Sequence, residues 1–104
     1  MPLTSGKRAF LDVLKQEGVE YIIGYPVNHL LEHVAKFDIR PIIVRQERIG
    51  LHMADAVSRV TSGKTVGIFA MQHGPGTENA YGGVAQAWSE SIPILVLPMG
   101  YQRR

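Results

Sequence analysis

The sequence predicts an α/β protein: a parallel β-sheet with helices on both faces. Four short runs rich in β-branched and other apolar residues lie at 19–24, 41–44, 65–71 and 92–98. They are apolar almost throughout rather than alternating, as expected of strands that have no solvent side. Stretches with helical spacing of apolar residues separate them, and strands of this kind alternating with helices imply right-handed crossovers in one covered sheet.

The elements follow in order. Phe10, Val13 and Leu14, after a Thr4/Ser5 cap, predict a first helix over 6–17, and Gly18 ends it. Leu30, Leu31 and Val34 after Asn28 mark a second helix, and Ile49, Met53, Ala56, Val57 and Val60 mark a third that the Ser62-Gly63-Lys64 turn stops. Ala80, Val84, Ala87 and Trp88 mark a fourth, after a glycine-rich loop at 73–83. Met53, Met71 and Trp88 are expected in the core. A four-stranded parallel sheet leaves exposed edges that proteins cover or pair. The expectation is therefore an incomplete domain, continued in a larger sheet or completed by self-association or a partner.

Composition narrows the function. The chain has 104 residues, 45% of them hydrophobic and 19% charged, which is globular rather than disordered. Eleven Lys and Arg against nine Asp and Glu, scattered along the chain, build no basic stripe for nucleic acid. Cysteine is absent, which excludes disulfides, thiolate metal sites and a cysteine nucleophile. No signal-like or membrane-length apolar run is present, so a soluble, cytoplasmic protein with no membrane partner is expected.

In open parallel sheets chemistry gathers beyond the carboxyl ends of the strands. Here those ends carry GYPVN (24–28), RQERIG (45–50), MQHGPGTEN (71–79) and PMGYQRR (98–104). The Gly74-Pro75-Gly76 turn leads from a strand into a helix, where glycines let a backbone approach a ligand and free N–H groups attract anions. It matches only the start of a dinucleotide fingerprint, so a plain tight turn stands beside nucleotide binding. Glu47, just past a buried strand, reads either as a first-turn acid near an arginine or as a carboxyl held in a cleft to exchange a proton. His73 at a strand end either faces a small polar substrate or caps a turn. His29-Leu30-Leu31-Glu32-His33 has the H-x-x-E-H pattern of an inverted zinc-protease site, against which stand the core role of its leucines and the lack of a third ligand. His52 and the Arg103-Arg104 pair read as surface residues.

Three segments, in order, resemble the N-terminal pyrimidine-binding domain of thiamine diphosphate enzymes of the acetolactate synthase, pyruvate decarboxylase and benzoylformate decarboxylase type. GVEYIIGYPVNHLLEHV is similar to the family's G-V-x-x-x-F-G-x-P-G. VRQERIGLHMADAVSRVTSGKTVGIFA is similar to R-H-E-x-x-A-x-x-A-A-D-G-Y-A-R-x-T-G-K. HGPGTENAYGGVAQAWSESIPILVLPM is similar to S-G-P-G-x-x-N-x-x-x-G-x-x-x-A-x-x-D-x-x-P-x-x. The likeness covers essentially the whole chain and implies one domain over 1–104, an incomplete N-terminal pyrimidine domain.

By that resemblance Glu47 is the catalytic glutamate that hydrogen-bonds the cofactor's aminopyrimidine N1' nitrogen. A proton-sharing carboxyl there favours the imino tautomer, whose exocyclic nitrogen can take the thiazolium C2 proton. Pro26, Pro75, Gly76 and Asn79 match cofactor-binding positions, and Val27, Gln72 and His73 match substrate-binding positions. Val27 stands where many members have glycine, and Gln46 and Arg48 replace the commoner histidine and glutamine. The resemblance implies thiamine diphosphate as cofactor and a small 2-oxo acid as substrate, in a decarboxylase or carboligase. Mg2+ would be held by a second domain with a G-D-G...N motif, which this sequence lacks, so no metal ligand is expected here and the chain alone should be inactive. The implied assembly is a homodimer or higher oligomer, or a pairing with a diphosphate-binding domain or subunit as in a split decarboxylase. A non-catalytic nucleotide- or partner-binding module is the competing reading.

Overall fold

A computed structural model describes residues 5–101; the expectations for Thr4 and for Arg103-Arg104 lie outside that range. The chain runs α1 (Gly6–Gln16), β1 (Tyr21–Gly24), α2 (Leu31–Val34) continued by a 3-10 turn (Ala35–Phe37), β2 (Arg40–Ile43), α3 (Glu47–Val60), β3 (Gly67–Met71), α4 (Pro75–Ser89) and β4 (Ile94–Pro98). All four strands are parallel in the order β2-β1-β3-β4. Helices cover both faces, as the sequence predicts.

Alternation along the strands divides the core in two. Ile22, Ile68 and Ala70 face Leu11 and Leu14 of α1 and Leu31 and Val34 of α2. Ile23, Phe69 and Met71 face Leu51 and Ala54 of α3 and Ala80 of α4. Ser5 Oγ accepts from Arg8 N at 3.3 Å to cap α1. Gly18, at φ 83°, ends it in the left-handed region that only glycine occupies freely.

Several sequence expectations are corrected. α4 begins at Pro75, inside the stretch 73–83 read as loop, because proline at a helix's first turn loses no hydrogen bond and already has helical φ. Trp88 is 86% exposed and Met53 36%, so neither is core, whereas Met71 is fully buried. The buried side of α3 is Gly50, Leu51, Ala54, Asp55 and Ser58; Ile49, Met53 and Val60 point outward. α2 is a single turn, with His29 ahead of it, and among the described residues no three His, Cys, Asp or Glu gather as metal ligands.

Polar side chains hold α3 in place. Arg59 binds Asp55 through Nε at 2.8 Å and reaches Glu90 at the end of α4; these bonds, that to Asp55 foremost, hold its guanidinium above its ordinary range. Ser58, 1% exposed, accepts through Oγ from Gly67 N at 2.7 Å, giving the first residue of β3 its hydrogen bond. Ser58→Ala strands that buried N–H and is expected to lower unfolding free energy by about 1–3 kcal/mol, read by urea denaturation. No helix among the described residues is long and apolar enough to cross a membrane.

Candidate functional site

The carboxyl ends of all four strands lie at one end of the sheet, and short backbone bonds tie the loops there. Tyr25 N donates to Ala70 O, Val44 N to Gly24 O and Met99 N to Met71 O, at 3.0 to 3.1 Å. β1 lies between β2 and β3, and the crossovers to either side cover opposite faces. The crevice beyond β1 and β3 is therefore the switch point at which such sheets bind ligands.

Glu47 opens α3 directly after an extended Gln46, which turns the chain from the end of β2 into the helix. Only 5% exposed, Glu47 reaches the start of α4, where Asn79 Nδ2 donates to its Oε2 at 3.3 Å. Glu47 is the acid of α3's first turn, and among the described residues no arginine, lysine or histidine forms an ion pair with it. A cleft of about 280 Å³ lined by Gln46, Glu47, Arg48 and Asn79 opens beside the carboxyl.

Gly76 completes this arrangement. A Cβ there would stand 2.6 Å from Gln72 Cβ and 2.9 Å from Glu47 Oε1. The missing side chain makes room for the chain's own carboxylate, which explains this glycine without a phosphate. Gly74, at φ 53°, sets the turn, and Thr77 Oγ1 donates to Gln72 O at 3.2 Å to fix it. A larger cavity of about 570 Å³, lined by Glu17, Glu20 and Lys64 among others, lies at the amino ends of the strands, away from these groups.

The structure thus brings Glu47, Gly76, Asn79 and Gln72 together. Pro26 and Val27 are exposed on the loop after β1, and Pro75 is exposed in the first turn of α4 at the same sheet end, all without hydrogen bonds to Glu47. Val27 is the middle residue of a three-residue turn closed by Asn28 N to Pro26 O at 2.9 Å. It is not among the positive-φ residues, so a valine in place of glycine brings no strain there. His73 packs edge-on against Tyr101 with ring centroids 4.3 Å apart, and its Nδ1 is buried without a hydrogen-bond partner among the described residues.

Sequence reasoning missed two residues at this end, Tyr101 and Asn28. Tyr101 stood only as part of a loop after the last strand, with no spacing to link it to His73. Asn28 was recognisable as a helix cap, but its ties to residues 43 and 69 positions away leave no local signal.

A buried carboxyl with a free face, an amide beside it and a glycine shaped around it is suited to hydrogen-bond a planar heterocyclic nitrogen and to share its proton. The chain matches the family model "Thiamine pyrophosphate enzyme, N-terminal TPP binding domain" over residues 4–104. It is 39% identical over 100 residues to the acetolactate synthase large subunit of Parasynechococcus marenigrum, covering 89% of this chain and 16% of that protein. It is 37% identical over 101 residues to the acetolactate synthase large subunit of Haemophilus influenzae, covering 93% of this chain and 17% of that one. Its fold superposes on benzoylformate decarboxylase from Polynucleobacter necessarius with a TM-score of 0.80 and 23% identity, over 97% of this chain and 19% of that chain. The chain therefore spans about a sixth of the length of the acetolactate synthase subunits it matches.

Proposed function

Because this chain belongs to the family of thiamine pyrophosphate enzyme N-terminal TPP-binding domains, we propose that it supplies the aminopyrimidine side of a thiamine diphosphate site in a decarboxylase or carboligase of small 2-oxo acids. The observation that carries this reading is Glu47, buried beside a cleft, bonded through one oxygen to Asn79 and given space for the other by Gly76. These residues fit the group on the chemistry of the donor set: a carboxyl for a ring nitrogen and, next to it, a carboxamide. When bound, thiamine diphosphate supplies an electron sink for cleaving the bond next to a 2-oxo carbonyl.

This chain's residues orient the ring and manage a proton. Glu47 holds or takes up the proton at Oε1, the oxygen left without a donor among the described residues, while Asn79 fixes the carboxyl's rotation through Oε2. Pro26 and Pro75 present rigid walls at the same sheet end, and Val27, Gln72 and His73 face the side on which a 2-oxo acid would lie. Mg2+ and the diphosphate would be held by a second domain or subunit, and the working assembly is a homodimer, a higher oligomer or a pair of unlike chains in the cytoplasm. The outward residues Ile49, Met53 and Val60 of α3, with Tyr81 and Trp88 of α4, support that reading as an exposed apolar surface needing cover.

The test is CO2 release from pyruvate or benzoylformate by the protein purified in its native assembly. Release that requires both thiamine diphosphate and Mg2+ is expected. Saturable binding of an adenine nucleotide, with no thiamine diphosphate dependence of any kind, would favour the non-catalytic module instead.

A further inference from the structure

Asn28 is 6% exposed, and its side chain is fully engaged in bonds that join three elements. Oδ1 accepts from Leu30 N at 3.0 Å, capping the turn that leads into α2. Nδ2 donates to Met71 O at 2.9 Å and to Leu97 O at 3.3 Å. Met71 is the last residue of β3 and Leu97 the last but one of β4. One carboxamide therefore ties the loop after β1 to the ends of β3 and β4 beside the switch point.

The chemistry leaves little choice of side chain. Two backbone carbonyls offer only lone pairs and the Leu30 amide offers only a proton, so the group between them has to donate twice and accept once. Asparagine does this within the length available. Aspartate would keep the bond from Leu30 N but turn an oxygen toward both carbonyls, and serine brings a single proton.

We propose that Asn28 is a positioning residue that fixes the Pro26–Val27 loop against the Gln72–His73 loop, so that a buried amide sets the spacing of the two walls that face the substrate. The substrate side of this inference rests on the proposed function; the tie between the loops does not. With Nδ2 and Oδ1 both bonded to backbone, Asn28 acts through the loops it joins.

Hydrogen exchange on the full ¹⁵N-labelled chain tests the tie without a variant. The Asn28 side-chain amide protons are expected to exchange about 100-fold slower than those of an exposed asparagine, and exchange at the exposed rate overturns the proposal. In Asn28→Asp, backbone exchange at Gly76 and Met99, whose N–H groups are bonded to His73 O and Met71 O, is expected to accelerate about tenfold or more, while Leu31 and His33 stay protected because the bond from Leu30 N survives. Unchanged exchange at Gly76 and Met99 overturns it. In the native assembly the same variant is expected to raise KM for pyruvate about tenfold, with kcat and thiamine diphosphate affinity within about twofold, the pattern of lost uniform binding. A fall in kcat at constant KM would overturn the positioning role. If the wild-type assembly shows no thiamine diphosphate-dependent turnover, the functional reading fails and the exchange results alone decide the tie.

Discussion

Replacing Glu47 with glutamine is expected to slow exchange of the C2 proton of thiamine diphosphate, bound to the native assembly, by about 10²- to 10⁴-fold, the usual worth of a positioned acid or base. Glutamine has nearly the volume of glutamate, so the space beside Gly76 stays filled. With its amide turned it still pairs with Asn79, by accepting at Oε1 or by donating from Nε2. Burial, fold and ring contact therefore survive, and only the ability to share a proton is lost. The discriminating readout is C2 exchange followed by NMR in D2O, taken beside cofactor affinity. Slow exchange with affinity within a few-fold supports proton sharing. Normal exchange removes Glu47 from the role, and a collapse of affinity with normal exchange at saturation makes it a binding contact only.

Much of this site was legible in the sequence for a physical reason. Gly24–Asn28, Arg45–Gly50 and Met71–Asn79 follow three parallel strands, and such strands deliver these segments to one end of a sheet whatever their order. Glu47 and Asn79 are 32 positions apart, yet each sits in the first turns of a helix that starts at that end. The meeting of two helix starts was thus implied by the alternation of strand and helix. What the letters could not show was phase. On α3 the outward stripe of Ile49, Met53 and Val60 carries more large apolar side chains than the inward one of Gly50, Leu51, Ala54, Asp55 and Ser58. Hydrophobic spacing therefore pointed to the wrong side.

The inversion arises because α3 approaches the sheet closely where small residues meet it: Gly50 lies over the Phe69 ring, and Gly67 lies under the Ala54 backbone. Trp88 misled in the same way on α4, whose inward positions are Gly76, Ala80, Gly83 and Ala87. Small residues mark these contacts, and the glycines among them carry no hydropathy signal. Asn28 illustrates a second limit, since bonds to two distant carbonyls depend on how the strands are ordered, β1 beside β3 and β3 beside β4.

That close approach makes Gly67→Ala the substitution with the largest expected effect on stability. A Cβ at residue 67 would lie 1.9 Å from Ala54 O, 2.5 Å from its carbonyl carbon and 2.7 Å from its Cα. All three atoms are backbone in the middle of α3, so no rotamer change relieves the clash; the helix has to lift from the sheet. Lifting it would also separate Ser58 Oγ from Gly67 N and draw Glu47, on the same rigid helix, away from Asn79. The expected loss is about 3 kcal/mol or more, at the upper end for overpacking and a large share of the roughly 5–15 kcal/mol that hold a domain folded. Gly82→Ala provides the control, because nothing lies within 4 Å of its Cβ position and the residue is in the interior of α4. There the added methyl only restricts the unfolded chain and favours the helix, and a gain of up to about 1 kcal/mol is expected. Urea melts of the two variants beside the parent chain decide the matter. Opposite signs identify the contact of Gly67 with Ala54 as what seats α3, and a Gly67→Ala chain as stable as the parent would mean that α3, and Glu47 with it, is not held at this distance.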